Sequence, residues 1–243
     1  MHRALEVRQT SIDHMDNYLD ALEADDSPIR DADPQTRARQ LPLHLDERKI
    51  PALAQKTREM GVWIVPTMAL WEVFNSDESP ESLRQRPELR YMPRQTVDQW
   101  AAAKQKMLAS VDPKAGARVI EVRKKVLKAL YDAGVKIALG TDSPQTFSVP
   151  GFSIHREMAI MVACEMKPYD VLRSGTRNVA EYFGTLRETG TVEPGKRADL
   201  ILLEANPLDD VAHVARRAGV MVRGRWFPES EIQARLEKIA ASY

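Results

Sequence analysis

The amino-acid sequence predicts a mixed α/β fold in which helices cover a parallel sheet. Two apolar runs, VWIV at 62–65 and VKIALG at 135–140, have the composition of buried strands, and TSID at 10–13 is predicted to be a third. Helical patterns separate these runs along the chain. Since such apolar strands are buried on both faces and alternate with helices, parallel pairing is favoured.

The helices between the strands follow from residue spacing. One is predicted in segment 45–61, where Gly61 has the position of a C-terminal capping glycine. Longer amphipathic patterns predict helices at 96–111 and 116–134, and the second leads directly into the strand at 135–140. The polar, proline-rich segment 75–93 is predicted to be an excursion from the core or a lid.

After the strand at 135–140, helices are predicted from about Ile154, at Pro168 and at Asn178. Asn178 and Glu181 have the spacing of a capping box. A hairpin is predicted in GTVEPGKRADLILLE, turning at Pro194-Gly195, and a strand and a terminal helix follow it. We therefore expect two domains, residues 1–184 and residues 185–243 with a small β module.

Composition limits the classes of partner. The chain has 35 Lys and Arg residues and 35 Asp and Glu residues, so no excess charge indicates a nucleic acid or an acidic membrane as partner. The basic run EVRKKVLK is predicted to be the solvated face of a helix. Cys164, the only cysteine, is predicted to be a buried apolar residue.

Polar residues follow the predicted strands: His14 after the first, Thr67 after the second and Asp142 after the third. The carboxyl ends of parallel strands share one face in a (β/α) barrel, and His with Asp is a usable pair of metal ligands. Spacing alone favours structural roles, since a lone histidine is often only hydrogen-bonded and Asp142 could form an Asx turn. Thr67 could line a pocket or satisfy backbone groups, and His155 could contact substrate or lie on the surface.

Several motifs occur in order in the second half of the chain: GTDS at 140–143, HRE at 155–157, TRN at 176–178 and PGKRADL at 194–200. With them, segment 137–227 closely resembles the C-terminal part of the metal-dependent amidohydrolase superfamily. The resemblance is strongest to its imidazolonepropionase-like and Xaa-Pro dipeptidase-like members. SIDHMD, which contains His14, resembles the histidine segment after strand six of that family.

The resemblance implies the C-terminal part of a (β/α)8 TIM-type barrel, strands six to eight, plus a small β-sandwich module. It also implies hydrolysis of C–N bonds in amides or cyclic amides by water that a divalent metal, commonly zinc, activates. Asp142 then matches the catalytic and metal-binding aspartate, and His14 matches a metal ligand. His155 and Thr67 are expected to contact the small-molecule substrate.

The sequence also departs from the family pattern. It contains no His-x-His motif, and the resemblance begins at strand six, so we expect the chain to be the C-terminal portion of a longer protein. Two visible ligands are fewer than the three of a catalytic zinc site. We therefore expect a complementary N-terminal half or a homo-oligomer as partner. The compartment is left open between cytoplasmic and periplasmic or secreted.

Two other functions remain open at this point. The chain could be an inactive fragment or split-gene partner with a structural or binding role. Alternatively, the same site could serve an Xaa-Pro dipeptidase or a phosphoesterase.

Overall fold

The computed structural model describes residues 1–243, apart from the side chain of His2. Its first part contains α1 (His2–Glu6), β1 (Ser11–Asp13), α2 (Tyr18–Ala21), α3 (Pro34–Gln40), α4 (Ile50–Met60), β2 (Trp63–Val65), α5 (Met68–Asn75), α6 (Pro80–Leu83), α7 (Arg94–Ser110), α8 (Pro113–Asp132) and β3 (Lys136–Ile137). The remainder contains α9 (Ser153–Ala163), α10 (Pro168–Ser174), α11 (Arg177–Tyr182), β4 (Leu200–Leu203), β5 (Arg217–Val222), β6 (Arg225–Pro228) and α12 (Glu229–Ala240). Helices therefore separate the first three strands, as the sequence predicts.

The first three strands form one parallel sheet in the order β1-β2-β3. Ile12, Ile64 and Ile137 stand side by side across it, and all three are buried. Parallel pairing is thus confirmed, and burial is confirmed at these three isoleucines, whereas Asp13 and Lys136 are exposed. β3 is shorter than the predicted 135–140 because the N–H of Leu139 turns away from β2 and donates to the carbonyl oxygen of Ser174.

Helices α4, α8 and α9 pack around this sheet and bury the main core. Leu127 and Leu130 of α8 are completely buried, and each such leucine stabilises the fold by about 1.5–3 kcal/mol relative to an exposed one. Gly61 ends α4 in the left-handed conformation at φ 70°, which confirms the predicted capping glycine.

The predicted excursion at 75–93 is instead part of a second core. It forms α6 and a 3-10 turn at Pro87–Tyr91, and Leu83 and Leu89 are buried against Phe147 and Val149. Two leucines among many polar and proline residues were too weak a pattern to indicate this packing. The segment is therefore anchored rather than freely mobile.

The two edges of the parallel sheet differ. At β3 the side-chain amide of Asn178 donates to the carbonyl oxygen of Ile137 at 2.9 Å, and Leu139 bonds to Ser174. Asn178 is therefore not the predicted helix cap, because α11 begins one residue earlier and Thr176 precedes it. At β1 no further strand pairs with Ser11 and Asp13 in the described chain.

The last sixty residues contain an antiparallel sheet in the order β4-β5-β6, with α12 packed against β5 and β6. The turn at Pro194-Gly195 forms, but residues 190–193 are not a strand, and β4 pairs with β5 instead of completing the predicted hairpin. Ile201 and Leu202 of β4 are 56% and 57% exposed. Apart from the parallel sheet β1-β2-β3 and this antiparallel sheet, the described residues form no further sheet that could cover these two side chains.

Burial of the single cysteine was predicted from the sequence. Cys164 is buried as predicted, and this burial raises the pKa of its thiol to about 11. None of the helices in the described chain combines the length and apolar character that crossing a bilayer requires.

Candidate functional site

The three residues that follow the parallel strands lie together. Nδ1 of His14 is 2.9 Å from Oγ1 of Thr67, and Nε2 of His14 is 3.7 Å from Oδ2 of Asp142. Thr67 is buried, whereas the side chains of His14 and Asp142 are 31% and 37% exposed. At the carboxyl edge of the sheet, the site is therefore buried at Thr67 and open to solvent at His14 and Asp142.

The backbone of all three residues is left-handed. The φ angles are 59° at His14, 48° at Thr67 and 53° at Asp142. A side chain in this region costs about 1–2 kcal/mol, and such strain is concentrated at functional sites. No feature of the sequence indicates this conformation, because none of the three residues is glycine.

The hydrogen bond to Thr67 holds the His14 ring but does not select its tautomer. A threonine hydroxyl can donate to Nδ1 or accept from it, so either imidazole tautomer satisfies this contact. Only the tautomer with a proton on Nδ1 leaves the lone pair of Nε2 free on the side of Asp142. Asp142 is held in turn by a hydrogen bond from the side-chain amide of Gln145.

Behind Thr67 lies a buried carboxylate that sequence reasoning missed. Glu157 of α9 is fully buried, and its two oxygens accept the backbone N–H groups of Met68 at 2.8 Å and Ala69 at 2.7 Å. Burial raises the pKa of Glu157 to about 7, while these two hydrogen bonds act in the opposite direction. A charged residue within the apolar pattern of its helix was the available signal.

A buried arginine supports His14 from the other side. Arg123 of α8 donates a hydrogen bond to the carbonyl oxygen of His14, and its guanidinium lies 4.0 Å from the ring centre of Trp71. The side chain is only 3% exposed, so the expectation that EVRKKVLK is simply a solvated face is wrong at Arg123. Burial lowers the pKa of this guanidinium to about 9.

The structure does not connect His155 to this group. His155 lies on α9, half-buried, and no hydrogen bond or ion pair joins it to His14 or Asp142. Burial lowers the pKa of its imidazole, and the charge of Arg217 on β5 adds to the effect. A charge of the β module therefore affects the pKa of His155. Contact between its side chain and the substrate stays a prediction.

One cavity adjoins the candidate site, and a larger cleft lies away from it. A cavity of about 310 Å³ beside His14 is lined by Ile12, Asp13 and Asp16 among others, but not by Asp142. A larger cleft of about 840 Å³ lies between α11 and the turn at Pro194-Gly195, away from both metal-ligand candidates. Neither of these two cavities is lined by Asp142.

The donor atoms fit part of a metal site. Two ligand atoms each about 2.1 Å from a zinc ion lie about 3.4 Å apart at the tetrahedral angle, which is close to the 3.7 Å between His14 and Asp142. The described residues contain no cluster of three or more His, Cys, Asp or Glu side chains suited to a metal ion. The pair offers two donor side chains, and the described residues do not complete the three-ligand set of a catalytic zinc site.

Comparison with known proteins identifies the family. The sequence model of the family described as "Amidohydrolase family" matches residues 44–227, about three quarters of the chain. This chain belongs to the amidohydrolase family. Asp142 lies inside the matched range and His14 precedes it. Members of the amidohydrolase family generally use divalent metals.

Individual relatives agree with the family assignment. An imidazolonepropionase from Deinococcus deserti is 37% identical over 87 residues, 35% of this chain and 21% of that protein. A solved bottromycin amidohydrolase gives a TM-score of 0.64 at 21% identity, covering 99% of this chain and 52% of that one. A Xaa-Pro dipeptidase structure gives 0.56 at 20% identity, covering 93% and 42%. The chain therefore shares the mixed α/β amidohydrolase fold and spans about half the length, or less, of these proteins.

Proposed function

We propose that this chain carries part of the active site of a metal-dependent hydrolase that cleaves C–N bonds in amides or cyclic amides. The observation that carries the proposal is the 3.7 Å approach of His14 and Asp142 at the carboxyl edge of a parallel sheet. Membership of the amidohydrolase family supports the reaction class. A divalent ion, for which zinc is our proposal, would supply Lewis acidity and an activated water in such a site.

The proposed roles follow from the chemistry of the side chains. Asp142 takes the proton of the attacking water as a new C–O bond forms, and returns it to the leaving nitrogen as the C–N bond breaks. His14 offers the Nε2 lone pair as a ligand while Thr67 fixes its ring. His155 is retained as a proposed substrate contact on the helix that follows the Asp142 loop.

We further propose that the parallel sheet corresponds to strands six to eight of a TIM-type barrel, within residues 1–184. Residues 185–243 are then one half of a β-sandwich. The unpaired edge of β1 and the exposed side chains of Ile201 and Leu202 are where a complementary polypeptide segment would pack. Such a segment would also supply the missing metal ligand.

A second candidate function is favoured by the incomplete ligand set. With two ligands and an open mouth, the chain by itself could be an inactive assembly or binding partner rather than a catalyst. A Xaa-Pro dipeptidase or phosphoesterase reaction at the completed site remains an alternative for the bond that is cleaved.

Zinc titration of the purified chain tests the proposal. We expect calorimetry to detect zinc binding that His14→Ala and Asp142→Ala each abolish. The matched control His213→Ala, at a half-buried histidine whose ring bonds to the carbonyl oxygen of Asn206, should bind zinc as the wild type does. Equal binding by all four proteins, or no binding by the wild type, contradicts the proposed site.

A further inference from the structure

Helix α5 begins without the cap that its sequence provides. Thr67 stands at the N-cap position, and a threonine there usually accepts a backbone N–H from the first turn of its own helix. Thr67 makes no such bond, because its hydroxyl is engaged with Nδ1 of His14. The first N–H groups of α5 therefore need an acceptor from elsewhere.

Glu157 is that acceptor. It lies on α9, 89 positions beyond Met68, and each of its oxygens takes one N–H group from the first turn of α5. A buried carboxylate is costly unless it is paired or hydrogen-bonded, and a helix N-terminus is a favourable place for negative charge. The carboxylate thus performs the capping that leaves the hydroxyl of Thr67 free.

The conformation of Thr67 points to the same arrangement. Its φ of 48° is unfavourable for a β-branched side chain, so neighbouring contacts must hold it there. The bonds from Met68 and Ala69 to Glu157 fix the two residues that follow Thr67 in the chain. If those bonds were lost, Thr67 could relax and turn its hydroxyl to its own helix.

We propose that Glu157 is a positioning residue for His14: its carboxylate caps α5 in place of Thr67 and so commits the Thr67 hydroxyl to the imidazole. Its relevance to metal binding rests on the function proposed above. The structural part of the inference concerns the ring of His14 alone and can be tested without metal.

Nitrogen NMR of the histidine rings in metal-free protein provides that test. Spectra are recorded at pH 8, above the pKa of about 7 of Glu157. We expect Glu157→Gln, which replaces one accepting carboxylate oxygen with an NH2 group that cannot accept, to shift the Nδ1 signal of His14 as Thr67→Val does. The double variant should resemble either single variant, because both remove the same contact.

The control is Glu88, another buried glutamate, which contacts α9 rather than α5. Glu88 pairs with Arg156 of α9 and makes no contact with the start of α5, so Glu88→Gln should lower stability and leave the His14 signal unchanged. A His14 signal that Glu157→Gln leaves at its wild-type position, while Thr67→Val moves it, overturns the inference.

The wild type offers a second test that needs no variant. The amide protons of Met68 and Ala69 should exchange slowly with solvent, although N–H groups in the first turn of a helix lack intrahelical partners. Fast exchange at both positions overturns the inference.

Zinc affinity then connects the positioning to function. We expect Glu157→Gln to weaken zinc binding about 10-fold, as for other groups that orient a ligand. If the wild type binds no zinc, the proposed function fails, but the ring signals still decide whether Glu157 positions His14.

Discussion

Oγ1 of Thr67 lies 2.9 Å from Nδ1 of His14, although the two residues are 53 positions apart in the chain. The contact exists because β1 and β2 are parallel neighbours, with Asp13 opposite Val65, so their carboxyl ends emerge side by side. The geometry of the histidine is therefore set by the sheet and not by its local sequence.

Stability should depend on pH through Glu157. Its pKa is raised from 4.5 to about 7, so between these pH values the unfolded chain releases this proton and the folded protein keeps it. The Glu157 contribution to the free energy of unfolding is therefore fully present below pH 4.5 and is lost as pH rises to about 7, by about 3 kcal/mol. Urea unfolding of the wild type and Glu157→Gln should show their difference changing across this range. A difference that is constant from pH 4.5 to pH 7.5 would contradict the prediction.

Arg123→Ala should destabilise the protein by about 3 kcal/mol. The substitution removes a charged hydrogen bond to the carbonyl of His14 and the stacking on Trp71. Lys125→Ala, on the exposed side of the same helix, should change the free energy of unfolding by about 0.5 kcal/mol or less. Denaturant titrations measure both, and equal effects would argue against a supporting role for Arg123.

Leu83→Ala should cost about 2–5 kcal/mol, because Leu83 is completely buried in the second core. Hydrogen exchange of α6 should then rise selectively, since this core lies apart from the main one. The exposed neighbour Ser82 provides the control variant Ser82→Ala. A cost near zero would mean that segment 75–93 is the mobile lid that its polar sequence suggested.

Asn178→Ala should lower the free energy of unfolding by about 1–2 kcal/mol by leaving the carbonyl oxygen of Ile137 unpaired. It should also increase self-association, because it partly uncovers the edge of β3. Sedimentation velocity measures the association, with the exposed Gln233→Ala as control. Unchanged stability together with an unchanged sedimentation profile would show that Asn178 does not protect this edge.

The sequence predicted the features that follow from runs of apolar residues. Ile64 and Ile137 lie in apolar runs, and this alone indicated buried parallel strands whose ends bring Thr67 and Asp142 to one edge. It did not predict Glu157 or Arg123, because the burial of a charged residue on an amphipathic helix depends on which neighbours cover that face.

Asn178 shows a related difficulty. Its spacing from Glu181 fits a local helix cap, but its amide bonds instead to a strand 41 positions earlier in the chain. A long-range hydrogen bond leaves no local signature, so the capping interpretation was reasonable and wrong. The left-handed backbone of His14 likewise depends on its surroundings rather than on its residue type.

The side-chain amide of Asn178 covers part of the β3 edge, whereas the β1 edge is open in the described chain. At the β1 edge, Ser11 and Asp13 are unpaired by any strand of the described chain. Two identical copies joined there by a twofold axis would run antiparallel, so their His14–Asp142 pairs would face opposite ends of the joint sheet. Symmetric pairing through β1 would therefore produce two separate half-sites, and neither copy would complete the ligand set of the other.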